Sequence, residues 1–164
     1  MDIVQDRSIM ALLPQYSDLG DGTVVVDSMN KDVFYSMGQR AMLHNLCSRC
    51  CKDIHLLRTW ASQLTGQKIW MPLGISYELV LVPLKIREAK INGDATVGYF
   101  NFNYIKDIRE NKDETILIMN DGREYIILWQ IRTVRKHLRD AMIIHSLLMK
   151  KLDDMLWARL QKGI

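Results

Sequence analysis

Four cations near the end of the chain recur at the spacing of a helix face. Arg132, Arg135, Lys136 and Arg139 lie at positions i, i+3, i+4 and i+7, so on a helix they project from one side. Only Asp140 is close enough in sequence to neutralise them. A polyphosphate would relieve their mutual repulsion and release its own counterions. The spacing therefore predicts a phosphate-binding face, with an ordinary solvated helix face as the alternative.

A second group of cations lies in a polar stretch between two predicted strands. It consists of Lys85, Arg87 and Lys90. A loop held by a rigid sheet can enter a groove of DNA, and arginine suits the narrow minor groove of A/T-rich sequence. We expect these three side chains to contact the groove or the phosphates, although polar surface loops often carry such residues for no specific purpose.

Histidines and cysteines also follow one another at helical spacing, as His44, Cys47, Cys51 and His55. On one helix they would spread over about 16 Å, given the rise of 1.5 Å per residue. Zinc needs its ligands about 2 Å from a single point, so we expect structural side chains, no metal site and no cofactor. The nucleophile elbow, the phosphate-binding glycine loop and the His-Glu-x-x-His motif are missing, so we do not expect an enzyme.

Composition and charge narrow the class of protein further. The chain has 164 residues, of which 48% are hydrophobic and 25% charged, as in an ordinary globular domain. Residues 1–33 carry two Lys/Arg against six Asp/Glu, whereas residues 121–164 carry nine against five. This asymmetry favours an anionic partner for the basic end. No apolar run reaches membrane-spanning length and no signal peptide is recognisable, so we expect a cytoplasmic protein without a membrane partner.

The elements that would position these cations can be read from the pattern of apolar residues. Residues 1–22 contain Pro14 and a Gly-Asp-Gly turn, and they predict a flexible N-terminal arm. Residues 23–164 predict one domain, in which residues 23–26 form a strand and residues 34–64 form a helix or a pair of helices.

The second half of the chain has the sequence pattern of β-strands. Strands are predicted at residues 68–71, 77–82, 97–108, 115–119 and 124–129. The last three should form an antiparallel meander near residues 97–129, with an Asp-Gly hairpin between the final two. A long helix follows from about residue 130 to 160. The strands at 116–119 and 125–129 look apolar on both faces, so either the helices or a second subunit must cover them. The fold class is α+β, with a mainly antiparallel sheet, a helical N-terminal half and a long C-terminal helix.

A series of short motifs occurs in one order between residues 68 and 137. They are Met71-Pro72, Leu81-Val82-Pro83, Tyr99-Phe100-Asn101-Phe102, Tyr104-Ile105-Lys106-Asp107-Ile108, Asn120-Asp121-Gly122 and Gln130-Ile131-Arg132-Thr133-Val134, with Arg49 and Cys51 matching an Arg-Ser-Cys element. In this order they resemble the ComK family, the competence transcription factors of Gram-positive bacteria, in a divergent form.

The resemblance implies a function. ComK proteins bind paired A/T-rich boxes of double-stranded DNA from the minor-groove side as a homo-oligomer and activate transcription. The protein would then be a nucleoid-associated regulator with RNA polymerase as a further partner. Two alternatives stay open: a LytTR-type DNA-binding domain, which also has a hairpin followed by a helix, and a pleckstrin-homology-like module, which binds peptides or phosphoinositides through a basic loop.

Overall fold

The computed structural model describes residues 6–29 and 31–163, which form two antiparallel sheets and three α-helices. The fold class is α+β, as predicted. The strands of the larger sheet are β1 (Ile9–Ser17), β2 (Gly20–Asp27), β3 (Val33–Tyr35), β4 (Leu73–Ser76), β5 (Leu79–Lys85) and β6 (Val97–Asn101). Their order across the sheet is β3-β2-β1-β6-β5-β4. An N-terminal strand and a strand from the middle of the sequence therefore meet at the β1–β6 junction in the centre of this sheet.

The smaller sheet and the helices complete the described part of the chain. The small sheet consists of β7 (Ile105–Asn111), β8 (Glu114–Met119) and β9 (Glu124–Ile127), in that order. The helices are α1 (Gln39–Arg49), α2 (Ile54–Thr65) and α3 (Ile131–Gln161). The predicted helix pair, the Asp-Gly hairpin between β8 and β9, and the long C-terminal helix are confirmed.

The predicted N-terminal arm over residues 1–22 is wrong from Ile9 onward. Strand β1 lies in the middle of the large sheet, and its first four residues are buried. Pro14 misled the prediction, because proline weakens a central strand. Its position in β1 pairs with β2 alone, since the ladder to β6 covers only Ala11 and Leu12. The first five residues of the predicted arm lie outside the described residues.

Both faces of the large sheet are covered by this chain itself. One face packs against α1 and the first turns of α2, and the other packs against α3, the small sheet and the Trp60–Ala61 part of α2. Strand β5 is therefore buried from Leu79 to Leu84. The prediction that residues 116–119 are apolar on two buried faces is wrong, because burial alternates along β8 and Ile126 of its neighbour β9 is 55% exposed. The large sheet, not the meander, is the one with two covered faces.

The predicted strand over residues 97–108 is interrupted where the chain passes from one sheet to the other. A 3-10 turn over Phe102–Tyr104 separates β6 from β7, so the meander begins at Ile105. The buried amide of Asn101 donates hydrogen bonds to the carbonyls of Ile9 (2.9 Å) and Glu78 (3.0 Å). Its oxygen accepts from the N–H of Asn103 (3.2 Å) and so shapes the turn.

The last turns of α3 extend beyond the two sheets. From Asp153 onward its described residues are exposed, including Met155, Leu156, Trp157 and Leu160. In the described part of the chain, no helix combines the length and the hydropathy that crossing a bilayer requires.

Candidate nucleic-acid interface

The predicted cation row lies on α3, which is held in place by its opposite side. The helix begins after Gln130, whose carbonyl accepts hydrogen bonds from the N–H groups of Thr133 (2.9 Å) and Val134 (3.1 Å). A buried stripe then anchors it on the sheets; its members are Ile131, Val134, His137, Ala141 and Ile144. Because this stripe points inward, the residues between its members point to solvent.

All four cations of the row are exposed. In the described part of the chain, Arg132, Arg135 and Arg139 form no hydrogen bond or ion pair. Lys136 is partly occupied: its ammonium donates to the side chain of Gln67 and lies 3.3 Å from a carboxylate oxygen of Asp140. The row therefore presents three unpaired guanidinium groups and one partly neutralised ammonium. They are spread over a length of about 10 Å along the helix axis.

A groove runs along this row, with a volume of about 970 Å³. Its apolar wall consists of Phe102, Leu138 and Met142. The sequence did not predict this wall, because Leu138 and Met142 have the spacing of core positions on a helix and Phe102 falls inside the predicted strand 97–108. The ring of Phe102 packs against the ring of His145, and the two ring centroids lie 5.6 Å apart. The surface thus combines a row of cations with an apolar wall. Such a surface suits a partner that presents both phosphates and sugars.

The loop after β5 starts at the same end of the molecule as α3. The N–H of Leu128 donates to the carbonyl of Lys85 at 2.8 Å, three residues before the helix begins. The structure therefore brings the start of the predicted loop cluster next to the first turn of the predicted helix cluster. The ammonium of Lys85 pairs with Glu88 at 2.8 Å, and Glu88 is largely exposed. A phosphate can replace such a surface partner at little cost.

Arg87 is placed differently from the sequence-based expectation. Its guanidinium donates to both carboxylate oxygens of Asp21, at 2.7 and 2.6 Å, and to the carbonyl of Ala95 at 2.6 Å. It also lies 4.0 Å from the centre of the Tyr16 ring. The two charged side chains are only 15% and 21% exposed. Arg87 is therefore a structural residue that ties the loop to β1 and β2, and it leaves the set of predicted DNA contacts.

The tip of the loop is held by a second set of contacts. The Tyr16 hydroxyl donates to Asp94 at 2.5 Å, and the same carboxylate accepts from the backbone N–H groups of Lys90 and Ile91. The bond to Tyr16, followed by these N–H groups, lowers the pKa of Asp94 below its usual range. The ammonium of Lys90 stays exposed, 4.5 Å from the Tyr16 ring centre. Of the three loop cations, Lys90 is the most available for a partner.

The histidines and cysteines do not converge on a metal site. Among the described residues, no three His, Cys, Asp or Glu side chains are placed to hold a metal ion. Cys47 is buried, and burial raises the pKa of its thiol. The rings of His44 and His55 lie edge to face, with their centroids 5.7 Å apart. These side chains pack α1 against the start of α2.

Comparison of the chain with family models, with curated proteins and with solved structures gives no match.

Proposed function

We propose that the protein is a DNA-binding transcriptional regulator that recognises A/T-rich duplex DNA and activates transcription as a homo-oligomer. The observation that carries the proposal is the row of unpaired arginines on α3, beside a groove and next to the basic loop. Arg132, Arg135, Lys136 and Arg139 hold phosphates, and Lys85 and Lys90 extend the contact from the loop. RNA polymerase is a further partner, and the site of action is the nucleoid.

The density of charge suits a duplex. Double-stranded DNA carries one phosphate charge per about 1.7 Å of axis, so a row about 10 Å long lies opposite roughly six phosphates. Three unpaired guanidinium groups in that length release counterions on binding, which drives association. Arginine also enters the narrow minor groove of A/T-rich sequence.

The likeness of residues 68–137 to the ComK family supports the finer parts of the proposal. It is the reason for choosing A/T-rich boxes, the minor-groove side and activation. The charges alone support an anionic partner of any sequence.

The salt dependence of binding tests the proposal. A fluorescence anisotropy titration of A/T-rich duplex, repeated over a range of salt, gives the number of phosphates engaged. Three to six contacts predict a log–log slope of about −2.7 to −5.4, hence an affinity loss of roughly 40- to 1,800-fold between 50 and 200 mM salt. A flat slope contradicts DNA binding and favours the pleckstrin-homology-like alternative.

A charge-matched pair of variants identifies the surface. Replacing Arg132, Arg135 and Arg139 together by alanine should reduce the magnitude of the slope by about 2.7. The control removes three exposed lysines elsewhere, Lys31, Lys52 and Lys106, and should keep most of the slope. Equal losses in the two variants would show that net charge, not this groove, carries the binding. Netropsin, a minor-groove ligand, should displace the protein, whereas binding that survives netropsin favours a LytTR-like mode.

A further inference from the structure

A second cleft lies beside α2, and it shares no lining residue with the groove along the cation row of α3. Asp53 caps α2 by accepting a hydrogen bond from the N–H of Leu56 (2.9 Å), and Gly66, at φ +72°, ends it. The chain then turns back along the helix. Five polar residues of α2 line the cleft: His55, Arg58, Thr59, Ser62 and Gln63. The opposite wall is residues 68–71, and the cleft volume is about 760 Å³.

Trp70 is the most unusual residue of that opposite wall. Its backbone has φ +52°, in the left-handed region that residues other than glycine and asparagine rarely adopt. The indole is 40% exposed. Behind it lies Trp129, with ring centroids 5.4 Å apart, and Trp129 stacks on the buried His137 at 4.8 Å. The Trp70 backbone also lies next to the His137 ring. The indole is thus fixed from behind and open to the cleft.

The floor of the cleft is polar and cationic. Tyr99 is only 7% exposed, and Arg58 lies near its hydroxyl. Burial raises the pKa of Tyr99, so the hydroxyl stays neutral at physiological pH. Arg58 is half-buried, and Lys68 is exposed at the rim. Among the described residues that line this cleft, none is a carboxylate.

A neighbouring depression of about 620 Å³ extends the cleft and shares Arg58, Trp70 and Tyr99 with it. Two carboxylates line this extension, and both already have partners. Asp21 is paired with Arg87, and Asp94 accepts from Tyr16 and from backbone N–H groups. The electrostatic character of the shared centre is therefore set by its cations.

We propose that this cleft binds a nucleotide, with the base stacked on the open face of Trp70 and the phosphate held by Arg58 and Lys68. Thr59 and Ser62, on the α2 wall of the cleft, supply hydroxyls that can hydrogen-bond the sugar. Each part of a nucleotide thus has a matching group in the cleft. The aromatic ring suits the base, the hydroxyls suit the sugar, and the cations, with no carboxylate among the cleft residues, suit the phosphate. The volume lies in the range of small-molecule sites, about 300 to 1,000 Å³. The proposal goes beyond DNA binding and does not rest on it.

Calorimetric titration of the full chain tests this assignment. The probes are the ribonucleoside monophosphates and triphosphates, the nucleosides and inorganic phosphate. We expect saturable binding of at least one nucleotide at or below about 1 mM, with the matching nucleoside and phosphate binding more weakly. The absence of nucleotide binding, equal binding of the nucleoside, or binding of a single-stranded oligonucleotide alone would overturn the proposal.

Two variants locate the binding site. Trp70→Asn removes the platform and keeps a residue that tolerates left-handed backbone; it should weaken nucleotide binding by about 5- to 150-fold, the value of stacking one base. Lys68→Gln should weaken binding of the nucleotide but not of the nucleoside. The controls Trp157→Asn and Lys150→Gln change exposed residues at the end of α3 and should leave binding unchanged. Unaltered binding in Trp70→Asn, or equal losses in the controls, would contradict the assignment. The salt slope for duplex DNA is a separate measurement, so failure here leaves the proposed function unaffected.

Discussion

Arg87→Gln should destabilise the fold, although the sequence places Arg87 in a basic surface loop. The wild-type guanidinium makes two hydrogen bonds to Asp21 and one to the Ala95 carbonyl, and it lies over the Tyr16 ring. Glutamine keeps part of the length and loses the charge and the paired donors. Asp21 then remains as a carboxylate in a site where its side chain is only 21% exposed.

The expected loss follows from the burial of the pair. Removing one partner of a fully buried ion pair costs about 3–5 kcal/mol, whereas exposed pairs contribute about 0–1 kcal/mol. With 15% and 21% exposure the pair lies nearer the buried limit, and we expect a loss of about 3 kcal/mol in the free energy of unfolding. For a chain of this size that lowers Tm by about 6–12 °C.

The assay is urea unfolding of a double-mutant cycle with Asp21→Asn, read by circular dichroism. Because the two side chains act on each other, the double variant should lose less than the sum of the single variants, with a coupling energy of about 1–3 kcal/mol. Lys90→Gln, in the same loop but exposed, is the control and should change the free energy of unfolding by less than about 0.5 kcal/mol. If Arg87→Gln behaves like Lys90→Gln and weakens only DNA binding, the structural assignment of Arg87 is refuted.

Three further substitutions test the packing that positions the sites. Gly74→Ala would bring a Cβ within 2.5 Å of the Ile144 side chain on α3 and should cost about 1–3 kcal/mol in urea unfolding, while Gly38→Ala, which meets open space, should not. Asn101→Leu would leave two backbone carbonyls without their donor and should cost about 2 kcal/mol or more by the same assay. Burial, and then the charge of Lys136, lowers the pKa of His137, so the unfolded chain takes up a proton near pH 6.5 that the folded chain does not. Wild-type stability should therefore fall as the pH drops below about 6.5, and this fall should be smaller in His137→Phe; an equal fall in both proteins would contradict the neutral, buried imidazole.

The elements that the sequence predicts correctly are those whose signal is local. The stripe of α3, the helix pair and the Asp-Gly hairpin each arise from residues close together in the chain. Strand β1 is different, because its place depends on pairing with β6, about ninety positions later. The end of β6 is also determined from a distance, since the Asn101 amide bonds to Ile9 and Glu78. No periodicity over a short window carries that information.

The candidate site divides in the same way. Helical spacing correctly placed Arg132, Arg135, Lys136 and Arg139 on one exposed face. The loop contained no signal for the role of Arg87, because its partner Asp21 lies 66 positions earlier and is brought close by the β1–β2 hairpin. Trp70 was hidden for another reason: residues 68–71 look like a strand, and only the folded chain shows the left-handed turn there.

The difference between Arg87 and the α3 arginines limits how many phosphates one chain can engage. The seven cations predicted from the sequence include one that is committed to Asp21, and three more, Lys85, Lys90 and Lys136, that have partners a phosphate could displace or share. One chain therefore offers at least three and at most six cations, and the slope of log affinity against log salt lies between about −2.7 and −5.4 per chain. Since both faces of the large sheet are already covered within the chain, apolar surface on that sheet is not an argument for an oligomer. A slope steeper than this limit would be such an argument, because the extra phosphates would need the row of a second copy on the same DNA. A slope within the limit, measured per bound chain, means that each copy binds through its own row.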